Sequence, residues 1–151
     1  MTKAIKTFDG EYRFLSNFYP CKITVKSVTY PSVEHAYQAA KTKDIYKKKV
    51  LASKDVPPGR AKKIGKTLKI GKSWNKNRVK VMYVLVRKKF FDNPHLAKKL
   101  IETGSAMLIE GNYWHDDFWG VCDKNKGQNI LGKILMLVRS ELIASRGEEY
   151  E

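Results

Sequence analysis

Between residues 74 and 91 the apolar side chains Val79, Met82, Tyr83, Val86 and Phe90 recur at offsets of three, four, seven and eleven, the period of one buried face of an α-helix. A helix that long, roughly 27 Å at 1.5 Å per residue, draws most of its stability from other elements covering that face. The pattern therefore predicts a largely helical chain. Residues 129–145 repeat the signal with Leu131, Ile134, Leu135, Val138 and Leu142 as the packing side. Shorter helices are predicted at 32–43, 44–52 and 59–69, the second stopped by the Pro57–Pro58 pair. Another follows Asn93, with Pro94 at its first position and Gly104 as its stop. Extended structure is expected mainly in the first thirty residues. There "EYRFLSNFYP" is aromatic-rich and "KITVKSVTY" reads as a small hairpin turning at Ser27. "SAMLIEGN" reads as one further short strand, and the terminal "RGEEYE" is expected to fray. The expectation is a mainly α (α+β) fold with a small N-terminal β element. With 151 residues and 42% apolar content, it is expected to be a single domain over 1–151.

The formal charge of +15 is concentrated. Residues 41–89 hold eighteen Lys/Arg against Asp44 and Asp55, so that segment alone nets +16. A cationic stretch joined to a nearly neutral remainder is the footprint of a polyanionic partner, such as nucleic acid or a phosphate-bearing ligand. Lys76, Lys80 and Arg87 fall on one face of the 74–91 helix and are the candidate nucleic-acid contacts. No apolar run is long enough to span a bilayer and no leader is evident, so a soluble, cytoplasmic protein without a membrane partner is expected. Cys21 and Cys122 are too few for a disulfide framework, and reduced thiols are expected.

Two stretches carry candidate chemistry. "PSVEHAYQAAK" opens a helix with Ser32 as cap, and places Glu34, Gln38 and Lys41 on one side while Val33, Ala36, Tyr37 and Ala40 face the core. Glu34 also suits the helix dipole, a structural role that needs no substrate. "GNYWHDDFWGVCDKNKGQN" fits neither the helical nor the strand period. Its aromatics, acids and glycines mark a binding loop rather than a spacer. "GKT" and "GKS" near Gly65 and Gly71 are not phosphate loops, because five residues rather than four separate the glycines and no apolar strand precedes them. His35, His115, Asp116 and Cys122 lack the spacing of a metal site, so no metal and no cofactor are expected.

Taken in order, "EYRFLSNFYP", "YPSVEHAYQAAK", the Gly65–Trp74 region, "LIEGN", "FWG" and "GQNILGKILMLVR" resemble the NADAR, or YbiA-like, family over nearly the whole chain. The resemblance implies one mainly helical domain. It also implies an N-glycosidase acting on ribosylated or ADP-ribosylated bases, either riboflavin-pathway ribosylamino-pyrimidines or guanine carrying ADP-ribose in DNA. It matches Glu34 to the catalytic acid, Lys41 to a lysine seven residues on, Trp74 to a site tryptophan and Asp116 to the loop aspartate, with the adjacent Asp117 as the alternative. Asn17, Phe18, His35, Gln38, Trp119, Gly120 and Asn129, with Trp74 and Asp117, are the substrate-binding candidates that lie in the same motifs. Breaking a ribosyl C–N bond builds positive charge at the anomeric carbon, which a carboxylate opposes. A neutral lysine could instead attack that carbon and pass through an imine. The favoured substrate is ADP-ribosylated guanine in DNA, because a cationic segment suits a polyanion. A non-catalytic module for ADP-ribose or nucleic acid is the reading of another class.

Overall fold

The computed structural model describes residues 3–148. In chain order the elements are β1 (Ala4–Ile5), a 3-10 helix (Gly10–Leu15), β2 (Ile23–Val25), β3 (Val28–Tyr30), α1 (Val33–Ala39), α2 (Ile45–Leu51), α3 (Pro58–Thr67), α4 (Trp74–Phe91), α5 (Pro94–Glu102), β4 (Met107–Leu108), a short 3-10 turn (Asp123–Asn125) and α6 (Ile130–Glu148). They form two compact units, Asn17–Lys89 and the described residues of Met1–Ser16 with Phe90–Glu151.

In the unit of residues 17–89, β2 and β3 form an antiparallel hairpin with Ile23 opposite Tyr30. Its two turn residues, Lys26 and Ser27, both take positive φ (47° and 72°), which matches strand twist in a two-residue turn but is unusual without Asn or Gly. Helix α1 packs against α2, α3 and the hairpin. All seven residues of α1 are buried, so the side that carries Glu34 and Gln38 is covered as fully as the packing side. The helix also ends at Ala39 rather than near 43, leaving Ala40 exposed and Lys41 beyond the last turn. The cause is local: Asp44 accepts hydrogen bonds from the amides of Tyr46 and Lys47, capping α2, so the chain must leave the first helix before it.

Helix α4 has the predicted bounds but a shifted stripe. Met82, Leu85, Val86, Lys89 and Phe90 are buried, whereas Val79 is exposed. The buried Lys89 interrupts the hydrophobic period and hides the true face from a count of apolar residues.

In the other unit β1 lies parallel to β4, with Ala4 opposite Met107 and Ile5 opposite Leu108. Residues 10–15, expected to be extended, instead form the 3-10 helix. Phe14 and Leu15 are consecutive and both buried, which a half-exposed strand with alternating faces does not allow. Helices α5 and α6 pack together, and Leu131, Ile134, Leu135, Val138 and Leu142 of α6 are all buried, as their spacing requires. Helix α6 runs on to Glu148. The last three residues of the tail expected to fray lie outside the described residues.

Candidate active site

Helix α1 sets out the first group of side chains. The Ser32 hydroxyl accepts from the amide of His35 and lies 2.6 Å from Nδ1 of the same residue. Nε2 of His35 is 2.6 Å from the carbonyl oxygen of Val56, which can only accept, so this nitrogen carries the proton and Nδ1 accepts from Ser32. Both ring nitrogens of His35 thus hold the start of α1 in place. Asn17 does so as well: its carbonyl accepts from the Glu34 amide at 3.1 Å, and its side-chain amide donates to Met82 Sδ. Glu34, buried to 7% exposure, receives an N–H from Gln38 Nε2 at 2.7 Å on Oε1. Phe18, by contrast, is 41% exposed and lines a cavity of about 770 Å³ with Cys21, Tyr30, His35 and Val56.

Lys41 has left the helix yet remains beside it. Its Nζ lies 5.5 Å from the centre of the Tyr37 ring and 5.9 Å from that of Trp74, whose two rings are 5.3 Å apart at 53°. Burial pushes the Lys41 ammonium below its ordinary range, Glu34 pulls it back up, and Lys62 and Lys66 of α3 push it down further. Glu34, Gln38, Lys41 and Trp74 therefore form one cluster within the 17–89 unit. Tyr37, Lys62 and Lys66 belong to the same surroundings and were missed. Tyr37 reads as core in the sequence, and no motif sets the two lysines apart from the rest of the cationic segment.

The second group lies in residues 111–129. Asp116 Oδ1 accepts from the amides of Phe118 (3.2 Å) and Trp119 (2.9 Å), while its own backbone is bracketed by the Asn112 side chain. This carboxylate orders the loop as an acceptor. Asp117 is exposed, and its carbonyl accepts from the Gln128 amide. The carbonyls of residues 118–120 take the amides of 129–131, which occupies donors at the start of α6. Asn129 is nearly buried with φ 51°; its side chain accepts from the Glu110 amide and donates to the Leu108 carbonyl. Gly120 is required by space, since an added Cβ would overlap the Glu110 carbonyl oxygen. Trp119 packs edge-on against Phe118 at 4.8 Å. Tyr113 and Trp114 are exposed beside a cavity of about 800 Å³ that Asp9 and Asp123 also line.

On α4, Lys76, Lys80 and Arg87 are all exposed, and Lys80 edges a cavity of about 470 Å³ with Lys48 and Lys88 over Val81 and Val84. Among the described residues no group of three or more His, Cys, Asp or Glu side chains could hold a metal ion. No described helix is long and apolar enough to cross a membrane.

A family model, the NADAR domain, matches residues 5–143. The chain belongs to the NADAR family. Similar NADAR relatives include the riboflavin biosynthesis protein VVA0006 of Vibrio vulnificus (strain YJ016), 42% identical over 137 residues. That match takes in 89% of this chain but 36% of the relative, so the chain spans about a third of that protein's length. N-glycosidase Npun_R5314 of Nostoc punctiforme is 35% identical, covering 87% of this chain and 86% of its own. Among solved structures, the NMR structure of the Escherichia coli protein YbiA superposes with a TM-score of 0.84 at 30% identity, covering 98% of this chain and 90% of YbiA. The mainly helical fold with small sheets is thus the fold of this NADAR relative.

Proposed function

We propose that this NADAR chain is an N-glycosidase that hydrolyses the C–N bond between ribose and a base. The observation that carries the reading is the cluster in the 17–89 unit: a buried Glu34 carboxylate, the Lys41 amine lowered by burial, and the Tyr37 and Trp74 rings beside it. Family relatives named as N-glycosidases support it. In this reading the neutral Lys41 amine attacks the anomeric carbon. The C–N bond to the base breaks, its electron pair leaves with the base, and the base takes up a proton. Loss of a proton from nitrogen and opening of the sugar ring give an imine, which water hydrolyses to free sugar and amine. Glu34 opposes the positive charge that builds at the same carbon, and Trp74 offers a face for stacking.

The proposed substrate is guanine carrying ADP-ribose in DNA. The 17–89 unit has twenty Lys/Arg against three acids, a net of +17, far more than one phosphorylated metabolite needs. A second reading, hydrolysis of phosphorylated ribosylamino-pyrimidines, is favoured by the riboflavin biosynthesis names of two relatives. Incubating the protein with an ADP-ribosylated oligonucleotide and with free ribosylamino-pyrimidine phosphates, and following base release, decides between them. Release from neither substrate, with binding retained, would leave a non-catalytic module.

A further inference from the structure

Gly65 sits inside α3, where glycine is a poorer helix former than alanine, so its presence there asks for a reason. Its φ is ordinary for a helix, which removes the usual explanation. The reason is a neighbour on α1. A Cβ built at Gly65 would overlap the side-chain oxygen of Gln38, and the three nearest atoms all belong to that one side chain. Gln38 is itself 4% exposed. Its Nε2 donates to Glu34 at 2.7 Å, and its Oε1 is buried without a hydrogen-bond partner among the described residues. A buried acceptor left unmatched is costly, and it persists here on the side that faces Gly65. Turning the amide over would set its oxygen against the Glu34 carboxylate. The amide is therefore held in one orientation, donor toward Glu34, by a space that only glycine leaves open.

We propose that Gly65 is a positioning residue that acts through Gln38 on Glu34. The proposal deepens the glycosidase reading, and rests on it for any effect on turnover. Removing the space displaces a flexible side-chain end rather than backbone, so Gly65→Ala is expected to fold and to lose the Gln38 donor from Glu34. A misplacement of this size at a reacting group lowers turnover on the order of tenfold to a hundredfold, with KM little changed.

Three measurements test it. Steady-state kinetics of Gly65→Ala should show the loss in kcat. The same substitution in a Gln38→Ala background should add no further loss, because the three atoms nearest the new Cβ all belong to the side chain that this background removes. Third, carbon-13 NMR of the glutamate carboxyls in the ligand-free protein, with Glu34 assigned by Glu34→Gln, should move the Glu34 titration to higher pH in both Gly65→Ala and Gln38→Ala, since a donor to the charged form has gone. Among the described residues, the other charged or titratable groups in these surroundings include Tyr37, Lys41, Lys62, Lys66, His35 and Lys48, the last donating to the Ala39 carbonyl at the end of α1. All are unaltered in these variants. An unmoved Glu34 titration in folded Gly65→Ala overturns the proposal, as does an additive loss in the double variant. If Gly65→Ala does not fold, the double variant must; failure of both also overturns it. A moved titration in both variants, with no base released from either substrate by the unaltered protein, would keep the positioning role and remove the glycosidase reading instead.

Discussion

Glu34→Gln keeps the shape of α1 and the room for Gln38 while deleting a charge. Turnover is expected to fall by about 3 kcal/mol or more in activation free energy, with thermal stability and substrate binding little changed. Unaltered turnover would return Glu34 to a dipole partner at a helix start. For Lys41, borohydride added during turnover should leave a sugar adduct that mass spectrometry places on this residue; no adduct, with Lys41→Arg still active, would reduce it to a phosphate contact. Lys89 gives a prediction of a different kind. It is 1% exposed, its Nζ lies 5.8 Å from the centre of the Tyr19 ring, and burial lowers it to about 8, with Cys21 pulling the other way. In the unfolded chain the amine stays protonated up to its ordinary 10.5, so from pH 8 upward the unfolded state binds the extra proton and stability rises with pH, by up to about 1.4 kcal/mol per pH unit. Cys21, whose thiol burial pushes up from 9.0, has the opposite sign above pH 9. Denaturant unfolding at pH 8 and 9 should therefore show a rise that Lys89→Met flattens, and equal slopes would refute it. Glu34, Lys41 and Trp74 were legible because they lie in motifs. Tyr37, Gly65 and Lys89 were not, because their roles depend on neighbours that spacing along the chain does not reveal.

At the scale of elements, helix ends were legible wherever a residue type enforces them. Pro94 starts α5, and Gly104, with φ 63°, follows its end, both as read from the sequence. Asp44 showed the limit, since a strong cap for α2 shortened α1 and carried Lys41 off the helix. Strands β1 and β4 lie in stretches read as extended, but their pairing, set by a distant partner, left no trace, and the 3-10 helix at 10–15 is too short for a period. The junction of β4, the loop and α6 depends on Asn129. Asn129→Ala would strand the Glu110 amide and the Leu108 carbonyl and leave a non-glycine residue at positive φ. The expected cost is about 3 kcal/mol, summed from one buried and one partly buried hydrogen bond and the backbone term. Chemical denaturation measures it, and a loss below about 1 kcal/mol would free Asn129 for a direct role at substrate.

At the scale of the molecule, the charge was the most legible property, since it needs only counting. If Lys76, Lys80 and Arg87 contact a DNA backbone, affinity should fall steeply with salt, and replacing all three by Gln should reduce the log–log slope by about 2 to 3 while sparing cleavage of a mononucleotide-sized substrate. Identical slopes for the two proteins would move the small-metabolite reading ahead. The division into units was not legible, because one of them is discontinuous in sequence. Residues 17–89 are continuous, whereas β1 must await β4, roughly a hundred residues later, before its backbone groups find each other. During synthesis the segment bearing Glu34, Lys41 and Trp74 is thus complete while β1 still lacks its partner. The order in which the chain leaves the ribosome favours the cationic unit forming first and the strand pair last.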